Sequence, residues 1–227
     1  MNMKERGIIF NSEMVRAILD GRKKQTRRVM NNQPCTLPEE TISVQQDDFN
    51  FRWAGDLHND TSGWFTCPLG KVGDRLWVRE TWSVVSHEFD DDGLMIDYVP
   101  DRPTKAVHEM PYGHGYFTGH VIYSADGDFT WGDDDGCIDG RSCWKPSIHM
   151  PHWASRIKLE ITDVRVERLK DAGDTEFKAE GYPLERELTG GSMDPFCWFR
   201  NLWDSVSPTN FKYADNPWVW VIEFKRI

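Results

Sequence analysis

From Gly21 the chain reads Gly-Arg-Lys-Lys-Gln-Thr-Arg-Arg, which packs Arg22, Lys23, Lys24, Arg27 and Arg28 around one hydroxyl, Thr26. Side chains of this kind bind anions, and their setting makes the concentration unusual. Residues 1–30 hold eight basic groups against three acidic ones, a net of +5, in a protein whose formal charge is -10. A small basic site on an acidic body suits one or a few phosphates better than a long polymer track. The overall balance excludes a coat of positive potential that grips duplex nucleic acid. The same run also reads as a solvated cluster leaving a helix C-terminus, where cations are favoured, with Thr26 opening a strand.

A second stretch, Trp144 to Arg156, places Trp144, Lys145, Ser147, His149 and Arg156 among Pro146 and Pro151. Aromatics beside cations are what base stacking with phosphate contact requires, and the prolines hold the segment extended. With 11 tryptophans in the chain, core packing is the competing use of Trp144 and Trp153. Cys137, Cys143, His149 and His152 follow a C-x5-C-x5-H-x2-H spacing without the short paired loops of a zinc site, so no metal and no cofactor is expected. The aspartate triplets at 90–92 and 133–135 read as solvated loops. Five scattered cysteines without a C-x-x-C pair read as reduced thiols.

The elements that position these groups follow from patterning. Gly7 to Phe10 is an apolar strand, after which Asn11 caps a helix carrying Met14, Ala17 and Ile18, stopped by Gly21. Leu76 and Val78 share one face of a strand. Ile157, Leu159 and Ile161 alternate with polar residues and then slip register, predicting a bulge near Thr162-Asp163. Asp174 caps a short helix through Glu180 ended by Gly181, Asp194-Pro195 opens another, and Trp218 to Lys225 reads as a closing strand. Residues at about 31–68 lack sustained periodicity, and those at about 83–143 are acidic and Gly-rich with short strand-like pieces such as Val121–Tyr123; the two stretches read as long insertions in one α+β domain spanning 1–227. No apolar run approaches the roughly 20 residues of a membrane span, and the N-terminus lacks a signal stretch, so a cytoplasmic address is expected.

The segments IIFNSEMVRAILDGRKKQTRR, GDRLWVRETW, SRIKLEITDVRVERL, AEGY and WVWVIEF, in this order, resemble the ASCH domain of the PUA-like superfamily. In particular they resemble the larger, insertion-bearing members carried by bacteriophages and prophages. The resemblance covers residues 1–30, about 70–82 and 153–227, and implies a PUA-like β-barrel with flanking helices. Some small bacterial members are amidohydrolases acting on 4-acetylcytidine, and the resemblance carries their catalytic lysine, threonine and glutamate onto Lys23, Thr26 and Glu180. The chemistry is coherent: a threonine hydroxyl needs a base, and a lysine crowded by cations and partly desolvated loses its proton more easily. Glu180 then shuttles a proton to the leaving amine, and Arg27 or Arg28 steadies an oxyanion or phosphate. Arg22, Lys24, Arg27, Arg28 and the 144–156 side chains form the expected nucleotide-binding set, as two walls of one cleft for a nucleotide or short single-stranded nucleic acid. Two alternatives remain open at this level: a non-catalytic RNA or modified-base binding module, and an acidic mimic of nucleic acid that occupies a host protein.

Overall fold

In the computed structural model, residues 3–34, 43–54, 63–90, 92–131 and 143–227 are described. The strands are β1 (Glu5–Ile9), β2 (Gln25–Val29), β3 (Ser43–Asp47), β4 (Asn50–Ala54), β5 (Arg75–Arg79), β6 (Trp82–Val85), β7 (His87–Phe89), β8 (Met95–Asp97), β9 (Lys105–Tyr112), β10 (Gly115–Tyr123), β11 (Lys158–Arg168) and β12 (Trp218–Arg226). The helices are α1 (Ser12–Leu19), α2 (Asp174–Ala179), α3 (Leu184–Thr189) and α4 (Asp194–Val206). The architecture is mixed α+β, dominated by sheets ordered β1-β5-β11-β12-β2, β6-β10-β9, β3-β4 and β7-β8. None of these orders closes on itself, so a closed barrel is not formed among the described residues. No helix among them is long and apolar enough to cross a membrane.

The chain divides into two compact units. The first comprises Met1–Arg6, Ala17–Leu76 and Leu159–Ile227, the second Gly7–Arg16 and Trp77–Lys158. In the first unit β12 pairs antiparallel with β11 on one side and with β2 on the other. The register slips between Ile161 and Asp163, where the sequence pattern predicts a bulge. Because strand side chains alternate, the pairing sorts residues into two faces. Arg27, Val221 and Arg165 fall in one row across the sheet, and Arg28, Trp220 and Val166 fall in the next, on the opposite face. The first face is closed by helices: Val219 and Val221 share a buried cluster with Phe177 of α2 and with Phe199 and Trp203 of α4. On the second face, Trp218 and Trp220 meet Trp53 and Phe51 of the β3–β4 hairpin, each pair with ring centroids 5.1 Å apart. That hairpin lies within the stretch expected to be an irregular excursion. It folds because its two alternating aromatics, Phe51 and Trp53, find a tryptophan surface more than 160 residues away in sequence, which local periodicity does not reveal.

In the second unit, β10 pairs with β6 and β9 as an antiparallel three-stranded sheet. Trp82, Val121 and Tyr123 are buried with Met150 and Ala154 on one side of it. Val85, Tyr98 and Ile122 gather Phe129, Trp131 and Trp144 in a second cluster. Part of the acidic stretch expected to be an insertion thus has a core of its own.

Candidate functional site

The segment that carries the basic run is launched by a helix ending. Gly21 sits at φ 74°, and Gly21 and Arg22 donate their backbone N–H groups to the carbonyls of Ile18 and Ala17, a Schellman closure of α1. Lys23 N–H also reaches Ala17 O, at 2.9 Å. The segment then runs beside the end of α2. Lys24 N–H donates to Ala179 O at 2.8 Å, Gln25 Nε2 to Glu176 O at 3.1 Å and Arg22 Nη1 to Gly181 O at 2.8 Å. Gly181, at φ 106°, ends α2 where a side chain has no room. A Cβ there would stand 2.8 Å from the Ala17 Cβ and 3.2 Å from the Lys23 Cβ. Two glycine helix endings therefore bring together groups 157 residues apart in sequence.

Lys23 Nζ donates to Glu180 Oε2 at 2.7 Å and to the Glu180 carbonyl at 2.9 Å. The lysine side chain is 0% exposed and that of Glu180 4%. Arg27 Nη1 takes the other carboxylate oxygen, Oε1, at 3.2 Å, while Nη2 reaches Glu167 Oε2 at 3.3 Å. Its buried Nε has no hydrogen-bond acceptor. Glu167 is held in turn by Arg165 Nε at 2.6 Å, and Arg165 also binds Glu223 and Asp163. A charge chain thus runs from buried Lys23 to the partly exposed Glu223. Burial lowers the Lys23 pKa; the charge and hydrogen bond of Glu180 oppose that shift, and the charges of Arg28 and Arg27 add to it. Thr26 is also buried. Its hydroxyl makes no hydrogen bond to Lys23 or Glu180 among the described residues, and strand alternation sets it on the face opposite Arg27, with Arg28. The geometry unites Lys23, Glu180 and Arg27 and leaves Thr26 apart from them. Arg22 serves as a brace across the Gly181 turn, and Lys24 is exposed.

No family model matches this chain, and no curated protein matches it. Among solved structures it is similar to the crystal structure of an ASCH domain from Lactobacillus crispatus JV V101. The two share 8% identity and a TM-score of 0.35, over 98% of this chain and 79% of that one. A likeness at that level equates no residues.

The 144–156 stretch belongs to the second unit. Trp144 packs edge-on to Trp131 with centroids 5.4 Å apart, and Lys145 places Nζ 5.3 Å from the Phe117 ring centre while its backbone pairs with Trp82. Ser147–His149 form a single 3-10 turn, with His149 exposed. Arg156 is fully engaged. Nε and Nη2 grip Glu80 at 3.0 and 2.9 Å, Nη1 and Nη2 grip Asp126 at 2.7 and 2.9 Å, and the guanidinium lies 3.9 Å from the Tyr123 ring centre. Burial raises the Glu80 pKa, with the Arg156 hydrogen bond and charge opposing. Sequence reasoning missed Glu80, Asp126 and Glu167. The usable signal was indirect: an arginine taken largely out of water requires a carboxylate, but nothing in the spacing says which one. No group of three or more His, Cys, Asp or Glu side chains among the described residues is placed to hold a metal. Cys137 and the triplet at 133–135 lie outside those residues. Cys67, Cys143 and Cys197 are free thiols.

Proposed function

We propose that this chain is an ASCH-type protein directed at a cytidine-type nucleotide, and that it hydrolyses the amide of an acylated base at the Lys23–Glu180 pair. The observation that carries this reading is the wholly buried contact between Lys23 Nζ and Glu180 Oε2, with Arg27 on the same carboxylate. A lysine whose proton is weakened by burial acts as a base, and a carboxylate bonded to it relays the proton onward. In the proposed reaction Thr26 Oγ1 attacks the acyl carbon, the amide C–N bond breaks, and the hydroxyl proton passes by way of one bridging water to Lys23 Nζ, then through Glu180 to the leaving exocyclic amine. Water then releases the acyl group from Thr26. Arg28, on the same face of β2 as Thr26, supplies a donor to the oxyanion.

A second reading is favoured by Thr26, which has no bond to the pair. In it Lys23, Glu180 and Arg27 brace the two helix endings, and the module binds a modified base or RNA without turnover. Incubation with 4-acetylcytidine separates the two. Release of acetate that is lost in Lys23→Ala, Thr26→Ala and Glu180→Ala variants, each folded by circular dichroism, supports hydrolysis. Nucleotide binding with no acetate released supports the binding module. Binding of neither nucleotide nor RNA at low salt leaves the acidic mimic as the account of this chain.

A further inference from the structure

Beside the buried pair, on the first unit, lies a pocket of about 190 Å³ whose wall carries Lys23, Lys24, Lys225 and Arg226 over a floor that includes Leu159 and Phe224. We infer that this pocket is a phosphate subsite, and that the ligand of the neighbouring pair is a nucleoside monophosphate rather than a free nucleoside; this rests on the reading proposed above.

Charge supports the assignment. Three exposed cations, Lys24, Lys225 and Arg226, line one small pocket in a protein of net charge -10, and no carboxylate lines it. Their local partners account for only part of that charge. Lys225 Nζ pairs with Glu160 at 2.9 Å, an exposed contact that contributes little in water. Arg226 Nη1 donates to Leu19 O at 3.3 Å, the carbonyl end of α1, and makes no ion pair among the described residues. Lys23 turns its ammonium to Glu180. Lys24 makes no ion pair among the described residues, although its backbone is pinned on both sides, N–H to Ala179 O and carbonyl to Phe224 N–H. A cation anchored at its backbone and unpaired at its tip has its charge available to an incoming anion. Size decides what enters. Pockets that enclose a small molecule run to roughly 300–1,000 Å³, so this one takes a fragment such as a phosphate group and leaves the rest of the ligand outside it.

Titration calorimetry at fixed ionic strength tests the inference with cytidine, cytidine 5′-monophosphate and inorganic phosphate. The monophosphate is expected to bind at least roughly ten-fold tighter than cytidine, with inorganic phosphate competing against it. In the Lys24→Gln, Arg226→Gln double variant the ratio is expected to fall toward one. Equal affinity for cytidine and its monophosphate in the unaltered protein overturns the subsite while leaving the nucleoside reading in place. Unchanged preference for the monophosphate in the double variant assigns the phosphate elsewhere and also overturns it. Binding of none of the three probes overturns the subsite and the nucleotide reading together.

Discussion

In the first unit one buried carboxylate, Glu180, faces Lys23 and Arg27 and feels the charge of Arg28, whereas in the second unit one guanidinium, Arg156, faces both Glu80 and Asp126. The Arg156 cluster is closed. Nε, Nη1 and Nη2 all donate, and every oxygen of the two carboxylates accepts. The Lys23 cluster is open: Arg27 reaches Glu180 and a second carboxylate, Glu167, that Arg165 also claims, and its buried Nε is left without an acceptor. The same residue types therefore do two jobs. Where donors and acceptors balance, the network braces the fold; where a buried donor is left over, it is what an anionic ligand satisfies.

The largest effect expected from breaking this contrast is at the closed cluster. Arg156→Met leaves two carboxylates facing each other without a counterion and should cost about 3–5 kcal/mol in urea unfolding at pH 7. Loss of Arg156 removes the interactions that oppose the burial-driven rise of the Glu80 pKa, so the variant's Glu80 takes up a proton more readily. Protonation relieves the repulsion as pH falls, so the gap to the unaltered protein should narrow between pH 7 and pH 5. A gap that widens over that interval would contradict the assignment of Arg156 as the brace.

At the open cluster, Gly181→Ala tests whether the two helix endings hold Lys23 against Glu180. The new Cβ meets Ala17 and Lys23 at a positive φ, and a loss of about 2–3 kcal/mol is expected from strain and overpacking. Stability within a few tenths of the unaltered protein would show that this junction is loose. The smallest effect is a pH slope. The Lys23 pKa lies below its ordinary value of 10.5 in the folded protein, so between the two values the unfolded chain binds more protons and stability rises with pH. The difference in unfolding free energy between the unaltered protein and Lys23→Met should therefore grow toward pH 10.5, by at most about 1.4 kcal/mol per pH unit. A flat difference would mean that Lys23 stays fully charged and is part of a closed brace, as Arg156 is.

Local order was legible wherever a residue acts on its chain neighbours. Asn11 caps α1 through Oδ1 to Met14 N–H at 2.8 Å, Gly21 and Gly181 take positive φ at helix ends, and the Ile161/Asp163 slip breaks an alternation visible in the residues themselves. The β3–β4 hairpin was not legible, and of the three-stranded sheet of the second unit only the Val121–Tyr123 piece of β10 was. Their strands are stabilised by aromatic contacts from distant sequence, and their polar faces mask the period. The candidate site divides the same way. Lys23, Thr26 and Glu180 could be named from motif and resemblance, and the concentration of positive charge in the first 30 residues could be counted. Which of them touch was a tertiary decision. Strand alternation separates Thr26 from Arg27, two helix endings deliver Lys23 to Glu180, and the partners Glu167, Glu80 and Asp126 arrive from strands and turns that no spacing rule connects. Composition and local pattern determine which charges exist and which backbone turns are affordable. The pairing of a buried charge depends on the position of its counterion in space, and that position is fixed only when the sheets and helices pack.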